Sequence, residues 1–284
     1  MIPGPRNGRV TRLDGAMGTA LLERGLPPAL LPETWVLDRP WEVEAVHAAH
    51  AAAGAEVLLT CTFNLARLDQ AGPGLDGAQV ARRAVALARS ARTRVVAGCA
   101  GATGLARPGG RGPSEGEFHE RYEAAFRALA AAGADLIWIE TQLDLGEARA
   151  ALEAGRRTGL PVVVTAFLLP GSGGMTALDG SPGVDFLAAL WRDGAAAVGV
   201  NCVAPDAGLA RWVAEIATRV PVPLVVKPNA GLPGSPAGPA PFAAAVAAAV
   251  RAGATLVGGC CGAGPAHLRA LGRALGAAGP QARG

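Results

Sequence analysis

Aromatic side chains are nearly missing from this chain: they make up 4% of its 284 residues, against 50% for hydrophobic residues as a whole. A core of this composition has to be assembled from Ala, Val and Leu, with helices approaching closely through alanine. Lysine is scarcer still, Lys227 being the only one, so an aldolase-like enzyme working through a Schiff base would have to use that residue. Charge of one sign is never concentrated. The 26 basic and 23 acidic residues are scattered and leave a net charge of +3, which argues against nucleic acid as a partner. No signal-peptide-like stretch opens the chain, and its longest apolar segments are Ala-rich and broken by Gly, Pro or charge; the expectation is a soluble cytoplasmic protein with no membrane contact. Five cysteines, two of them adjacent, make a poor disulfide framework, because vicinal bridges are strained and one thiol would be left over. Metal binding or plain burial remains for them.

What the chain does have is a regular series of short β-branched runs: Arg9 to Asp14, Glu56 to Thr62, Arg94 to Cys99, Asp135 to Glu140, Pro161 to Leu168, Ala197 to Cys202, Leu224 to Asn229 and Thr255 to Cys260. Ala-rich helical segments separate them, as at Trp41 to Gly54, Glu117 to Gly133, Leu145 to Gly159, Phe186 to Gly194, Leu209 to Val220 and Pro241 to Gly253. Gly54, Gly133, Gly194 and Gly253 each precede an alanine and then a strand, as expected of helix C-terminal glycines where a chain turns back into a sheet. Eight repeated βα units predict a single α/β domain, a (β/α)8 TIM barrel across residues 1–284. Its chemistry belongs at the C-terminal ends of the strands. Those ends are polar or sulfur-bearing: Asp14, Thr60 to Asn64, Cys99, Glu140, Cys202, Asn229, and Cys260 with Cys261. The Gly/Pro-rich stretches Gly104 to Ser114, Pro170 to Gly183 and Ala230 to Pro241 follow the third, fifth and seventh strands and read as loops on the same face.

Cys202, Cys260 and Cys261 close two of these strands. One cysteine alone is more often a buried apolar residue than a ligand. Three at strand ends, two of them flanked by Gly258, Gly259 and Gly262, suit a soft tetrahedral metal site with one position open. A redox pairing of Cys260 with Cys261 is the weaker alternative. Three thiolates around zinc leave the site net negative, so it suits an incoming thiol better than an activated water, and the chemistry that follows is attack by sulfur on an electrophilic carbon such as a methyl group.

Several segments together resemble the homocysteine S-methyltransferase family: Leu13 to Thr19, Thr60 to Asn64, Glu140-Thr141, Asn201-Cys202, Pro228 to Pro233 and Gly258 to Gly262. The resemblance spans about residues 8 to 275. That family includes the homocysteine-binding module of cobalamin-dependent methionine synthase and the betaine and S-methylmethionine enzymes. The resemblance implies a Zn2+ ion held by Cys202, Cys260 and Cys261, with the homocysteine sulfur as fourth ligand. It implies that Glu140 meets the substrate ammonium and that the Asp14-Gly15 turn with Thr62 holds the charged ends of the amino acid. Asn229 matches a residue able to take the fourth position before substrate arrives. Cys61 stands where the family often has Asn, and reads as a substitution beside the pocket.

The expected activity is therefore methyl transfer to homocysteine, giving methionine, with a methylcobalamin protein, S-methylmethionine or S-adenosylmethionine as donor. Nothing in the chain resembles a cobalamin module. The Pro228 to Pro233 stretch, closest to the methionine-synthase branch, favours a split synthase component over a free-standing sulfonium-dependent enzyme. Two rivals are a non-catalytic zinc- or thiol-binding barrel protein and the Lys227 aldolase. For Glu140, an ion pair with an arginine in a loop competes with a substrate ammonium. His47, His50, His119 and His267 read as surface or second-layer residues.

Overall fold

The computed structural model describes residues 10–71, 74–105, 115–171, 174–232 and 235–276. Eight parallel strands form the sheet: β1 Thr11–Arg12, β2 Val57–Leu59, β3 Val95–Gly101, β4 Leu136–Gln142, β5 Val162–Ala166, β6 Ala197–Asn201, β7 Leu224–Lys227 and β8 Leu256–Val257. Each pairs with its sequence neighbour from β2 through β8, and β8 pairs with β1. A parallel bridge between Leu13 and Val57, and the bond from the Glu56 amide to the Arg12 carbonyl (2.8 Å), close β1 onto β2 and complete the barrel. Ten helices are described: α1 Met17–Glu23, α2 Pro32–Asp38, α3 Pro40–Ala52, α4 Gly77–Ser90, α5 Glu115–Ala131, α6 Leu145–Arg156, α7 Gly183–Arg192, α8 Ala207–Arg219, α9 Pro239–Arg251 and α10 Pro265–Gly276. None is long and apolar enough to cross a membrane.

Side-chain alternation along the strands divides the core in two. Leu13, Leu59, Ala97, Trp138, Val163 and Val225 belong to a cluster inside the barrel, while Leu58, Val96, Ile137, Val164, Val198 and Val226 face outward against the helices. The shortage of aromatics shows in this interior, where Trp138 is fully buried and much of the remainder is Val, Ala and Leu. Outside, alanine and glycine on the helices allow close approach, as at Gly155 of α6, where an added Cβ would lie 3.1 Å from Val162. Helices α4, α6 and α8 start at Asp76, Asp144 and Asp206, each accepting a backbone N–H of its first turn. Gly54, Gly133, Gly194 and Gly253 all have positive φ, as their helix-to-strand positions required.

The ladder is shorter than the apolar runs at β1, β2 and β8, so Asp14, Thr60 and Cys260 sit in the loops just beyond it. Two of the expected loops carry small hairpins, Leu169–Gly171 with Gly174–Thr176 and Gly231–Leu232 with Ser235–Pro236. Most of the stretch from Gly104 to Ser114 lies outside the described residues, as does Pro233.

Two histidines of α3 are buried more deeply than a surface helix requires. His47 and His50 are 0% and 1% exposed, and none of their four ring nitrogens has a hydrogen-bond partner among the described residues. Burial lowers both pKa values, that of His47 to about 4. An unfolded histidine takes up a proton below about pH 6.5 while folded His47 resists until about pH 4, so acid favours the unfolded chain across that window. Urea denaturation should show a loss of roughly 2 kcal/mol from this one residue between pH 7 and pH 5. His47→Leu should flatten the slope; an unchanged slope would show that His47 does not control it.

Candidate active site

The C-terminal ends of the strands surround a cavity of about 280 Å³ whose wall includes Asp14, Thr62, Cys99, Glu140, Lys227 and all three rim cysteines. Asp14 follows β1, and its Oδ2 accepts the Leu59 amide at 2.7 Å. Glu140 lies near the end of β4, where the register with β5 shifts between Ile139 and Gln142. Thr141 in that bulge has φ 59°, a left-handed conformation uncommon for a residue with a side chain. Lys227 ends β7 and is 2% exposed, with Nζ 3.1 Å from Asp14 Oδ1 and 3.1 Å from Glu140 Oε1. The Trp138 ring centroid is 5.8 Å from the same ammonium. Glu140 therefore has an internal ion-pair partner, and it is the single lysine rather than an arginine.

These charges hold one another in place. Burial pulls the Lys227 ammonium down, but Asp14 and Glu140 more than reverse the effect and hold it above its ordinary range. A protonated, doubly paired amine is no nucleophile, which counts against the Schiff-base alternative. Burial pushes the Glu140 carboxyl up against the opposing pull of Lys227. Glu140 Oε2 has one partner, the Cys99 thiol at 3.6 Å. Buried Thr62 is fully engaged within the wall: its hydroxyl donates to the Cys99 carbonyl at 2.6 Å and so accepts from Thr60, 2.6 Å away. Cys61 is also in the wall, buried, and its thiol is pushed up by burial.

Across the cavity the sulfurs of Cys202, Cys260 and Cys261 all lie within 4.8 Å of one another. Cys202 follows β6 with φ 59°. Asn201, fully buried, steadies this turn: its Oδ1 accepts the Thr141 amide at 3.0 Å, and its Nδ2 donates to Thr141 Oγ1 at 2.6 Å and to Cys202 Sγ at 3.4 Å. One side chain thus links the two left-handed residues that carry the rims of β4 and β6. Glycines bring the β8 loop in. An added Cβ on Gly258 would meet the Asp14 carbonyl at 2.6 Å, and Gly262 has φ 77° with the Gly231 carbonyl 2.5 Å from its Cβ position. His267 fastens this loop by accepting the Gly264 amide at Nδ1 (3.2 Å) and donating from Nε2 to the Ala237 carbonyl (2.8 Å).

The sulfur trio suits a soft metal. Sulfurs bound to one zinc at about 2.3 Å stand about 3.8 Å apart, and the trio, with Cys202 and Cys260 at 2.7 Å and all pairs within 4.8 Å, reaches that spacing by shifts of about 1 Å. Asn229 donates from Nδ2 to the Cys202 carbonyl at 3.0 Å, while its buried Oδ1 has no partner and is available as an oxygen donor. Sequence reasoning gave no part to Asn201, and none to Glu33, a fully buried carboxylate of α2 in the cavity wall whose oxygens accept the Asn64 amide (2.7 Å) and Nδ2 (2.9 Å). Asn201 stood in the sequence only as part of the Asn201-Cys202 segment, with no role of its own, and nothing in the local sequence marked Glu33.

Hydrogen bonds share negative charge unequally among the thiols. Those from Cys202 and Cys260 lower the Cys261 pKa to about 3, while those to Cys260 and Cys261 raise that of Cys202. In metal-free protein Cys261 should therefore keep more of its reactivity than Cys202 as the pH falls from 8 to 5, where an ordinary cysteine loses reactivity about tenfold per unit. Iodoacetamide at pH 5.5, followed by peptide mass mapping, should label Cys261 first; labelling of Cys202 first would contradict this charge distribution.

Residues 12–275 match the homocysteine S-methyltransferase family. The chain is 33% identical over 304 residues to the methionine synthase of Mycobacterium tuberculosis, an alignment covering 94% of this chain and 25% of that protein. The methionine synthase of Mycobacterium leprae is also 33% identical, over 308 residues. The chain spans about a quarter of the length of these curated relatives. The crystal structure of the homocysteine methyltransferase MmuM from Escherichia coli, in its metallated form, superposes with a TM-score of 0.78 at 28% identity, covering 92% of this chain and 95% of that one. With a family match across almost the whole barrel and a sulfur cluster at its rim, the chain belongs to the homocysteine S-methyltransferase family.

Proposed function

We propose that the chain, acting as one homocysteine-binding barrel domain across residues 1–284, is a zinc-dependent S-methyltransferase that converts homocysteine to methionine. The observation that carries this reading is the placement of a three-sulfur cluster and a buried carboxylate pair, Asp14 and Glu140, in the wall of one cavity. The first suits a thiol and the second an ammonium, the two ends of homocysteine. That the E. coli relative has a metallated form supports a metal in this barrel as well.

Cys202, Cys260 and Cys261 would hold the zinc, with Asn229 Oδ1 as a fourth donor in the absence of substrate. When bound, zinc supplies the positive charge that keeps an incoming thiol deprotonated near neutral pH, below its free value of about 8.5. Glu140 meets the substrate ammonium, and the Asp14-Gly15 turn with Thr62 completes the amino-acid end of the cavity. With the thiol proton gone on binding, no side chain has to act as general base, and the protein's task is to hold the sulfur in line with the donor methyl. The donor is a methylcobalamin protein, S-methylmethionine or S-adenosylmethionine.

Purified protein should contain one zinc per chain by elemental analysis. It should form methionine from homocysteine with one member of a panel of methylcobalamin, S-methylmethionine, S-adenosylmethionine and betaine. Cys261→Ser should reduce both metal content and methionine formation by about a hundredfold or more. Metal-free protein, or unchanged turnover in Cys261→Ser, would overturn the reading. Zinc bound without turnover for any donor would mark a storage or sensing protein instead.

A further inference from the structure

Among the described residues, Lys227 is the only cationic one in the cavity wall. Its position is set on two sides. Asp14, fixed through Oδ2 by the Leu59 amide at 2.7 Å, accepts Nζ on Oδ1 at 3.1 Å, and Glu140 accepts it on Oε1 at 3.1 Å. Both Asp14 oxygens are thus engaged by the protein. Glu140 differs, because among the described residues Oε2 has only the weak thiol donor of Cys99 at 3.6 Å. A carboxylate in an apolar barrel mouth with one oxygen firmly held has its second oxygen aimed as well, since the group is planar and rigid. Three strands contribute to this arrangement: the Asp14 turn after β1, Glu140 on β4 and Lys227 on β7. The ammonium is also seated over Trp138, at 5.8 Å from the ring centroid.

We propose that Lys227 is a positioning residue for the amino end of the substrate: anchored on Asp14, it holds Glu140 by Oε1 so that Oε2 meets the incoming ammonium, and Asp14 acts through Lys227 rather than on the substrate. The proposal rests on the homocysteine reading given above. It adds a chain Leu59 amide, Asp14, Lys227, Glu140 and substrate ammonium, in which each link is a hydrogen bond to a charged group. It also sets the charge of this end of the cavity. Asp14, Glu140 and Lys227 together leave a single net negative charge, which one substrate ammonium balances; Glu33, the third carboxyl of the wall, is held by Asn64.

Three thiols separate this role from its competitors when their affinities for the zinc-loaded full chain are measured by titration calorimetry. Homocysteine carries both charged groups, 3-mercaptopropylamine keeps only the ammonium, and 4-mercaptobutanoate keeps only the carboxylate. Lys227→Met should weaken homocysteine and 3-mercaptopropylamine by about tenfold or more, the size of one charge-assisted hydrogen bond, and leave 4-mercaptobutanoate within about twofold. In turnover the same variant should raise KM for homocysteine with little change in kcat. Asp14→Asn should reproduce this pattern and add nothing further in the Lys227→Met background. Lys227→Arg, which keeps a cation between the carboxylates, should retain most of the affinity, and with Asp14→Asn it carries the test if Lys227→Met does not fold.

Equal weakening of all three thiols would reduce Lys227 to a scaffold residue. Loss confined to the two carboxylate-bearing thiols would make it a carboxylate ligand, and tighter binding of the two ammonium-bearing thiols would make it their competitor. Each of these results overturns the proposal while leaving the functional reading intact. Failure of the unmodified, zinc-loaded protein to bind homocysteine would overturn both.

Discussion

One buried ammonium, shared by two carboxylates from the ends of β1 and β4, is the interaction around which this end of the cavity is organised. Lys227 is 2% exposed and Asp14 3%, so the hydration of both has been given up. Such a burial is tolerated only when every charge has a close partner of opposite sign, and removing one partner typically costs about 3–5 kcal/mol. Here the partners come from different strands, so this balance can be reached only with the strands in register. The fold and the charges therefore specify one another. A barrel mouth lined by apolar residues alone would close as well, but would present no fixed charge to the cavity.

The sulfur side is organised differently, through backbone conformation rather than charge. Thr141 and Cys202 both adopt left-handed φ, a state that costs about 1–3 kcal/mol for residues of this kind and persists where surrounding contacts impose it. Asn201 imposes it with bonds to Thr141 on both its amide groups. On the β8 side, the absence of a Cβ at Gly258 lets that loop lie against the Asp14 carbonyl, so the cysteine pair is brought to the rim beside the paired strands β1 and β8. Tight packing of small residues outside the barrel, at sites such as Gly155, supports these local costs.

Much of this was legible in the order of residues. The barrel followed from eight β-branched runs separated by Ala-rich helices and from the Gly-Ala junctions, because period and punctuation are local properties. The strand-end position of Asp14, Glu140, Cys202, Cys260 and Cys261 followed from the same count. What escaped depended on contacts between distant segments. Lys227 lies 213 positions from Asp14 and 87 from Glu140, and no spacing rule links them. The latch made by Asn201 requires the bulge in β4, which leaves no mark in composition. His47 and His50 occur in an ordinary-looking helix, and only the packed barrel shows that all their ring nitrogens are sealed from water without partners.

The separation of the three cysteines along the chain has a consequence for biosynthesis. Cys202 leaves the ribosome well ahead of Cys260 and Cys261, which belong to the last barrel strand and its loop. During that interval the chain offers one sulfur where a cluster is needed, and a lone thiolate is a poor trap for a metal ion. The cluster can come together only when β8 docks between β7 and β1, the step that also seals the cylinder. A metal centre built on these three sulfurs would in this way be assembled only once the barrel around it has closed.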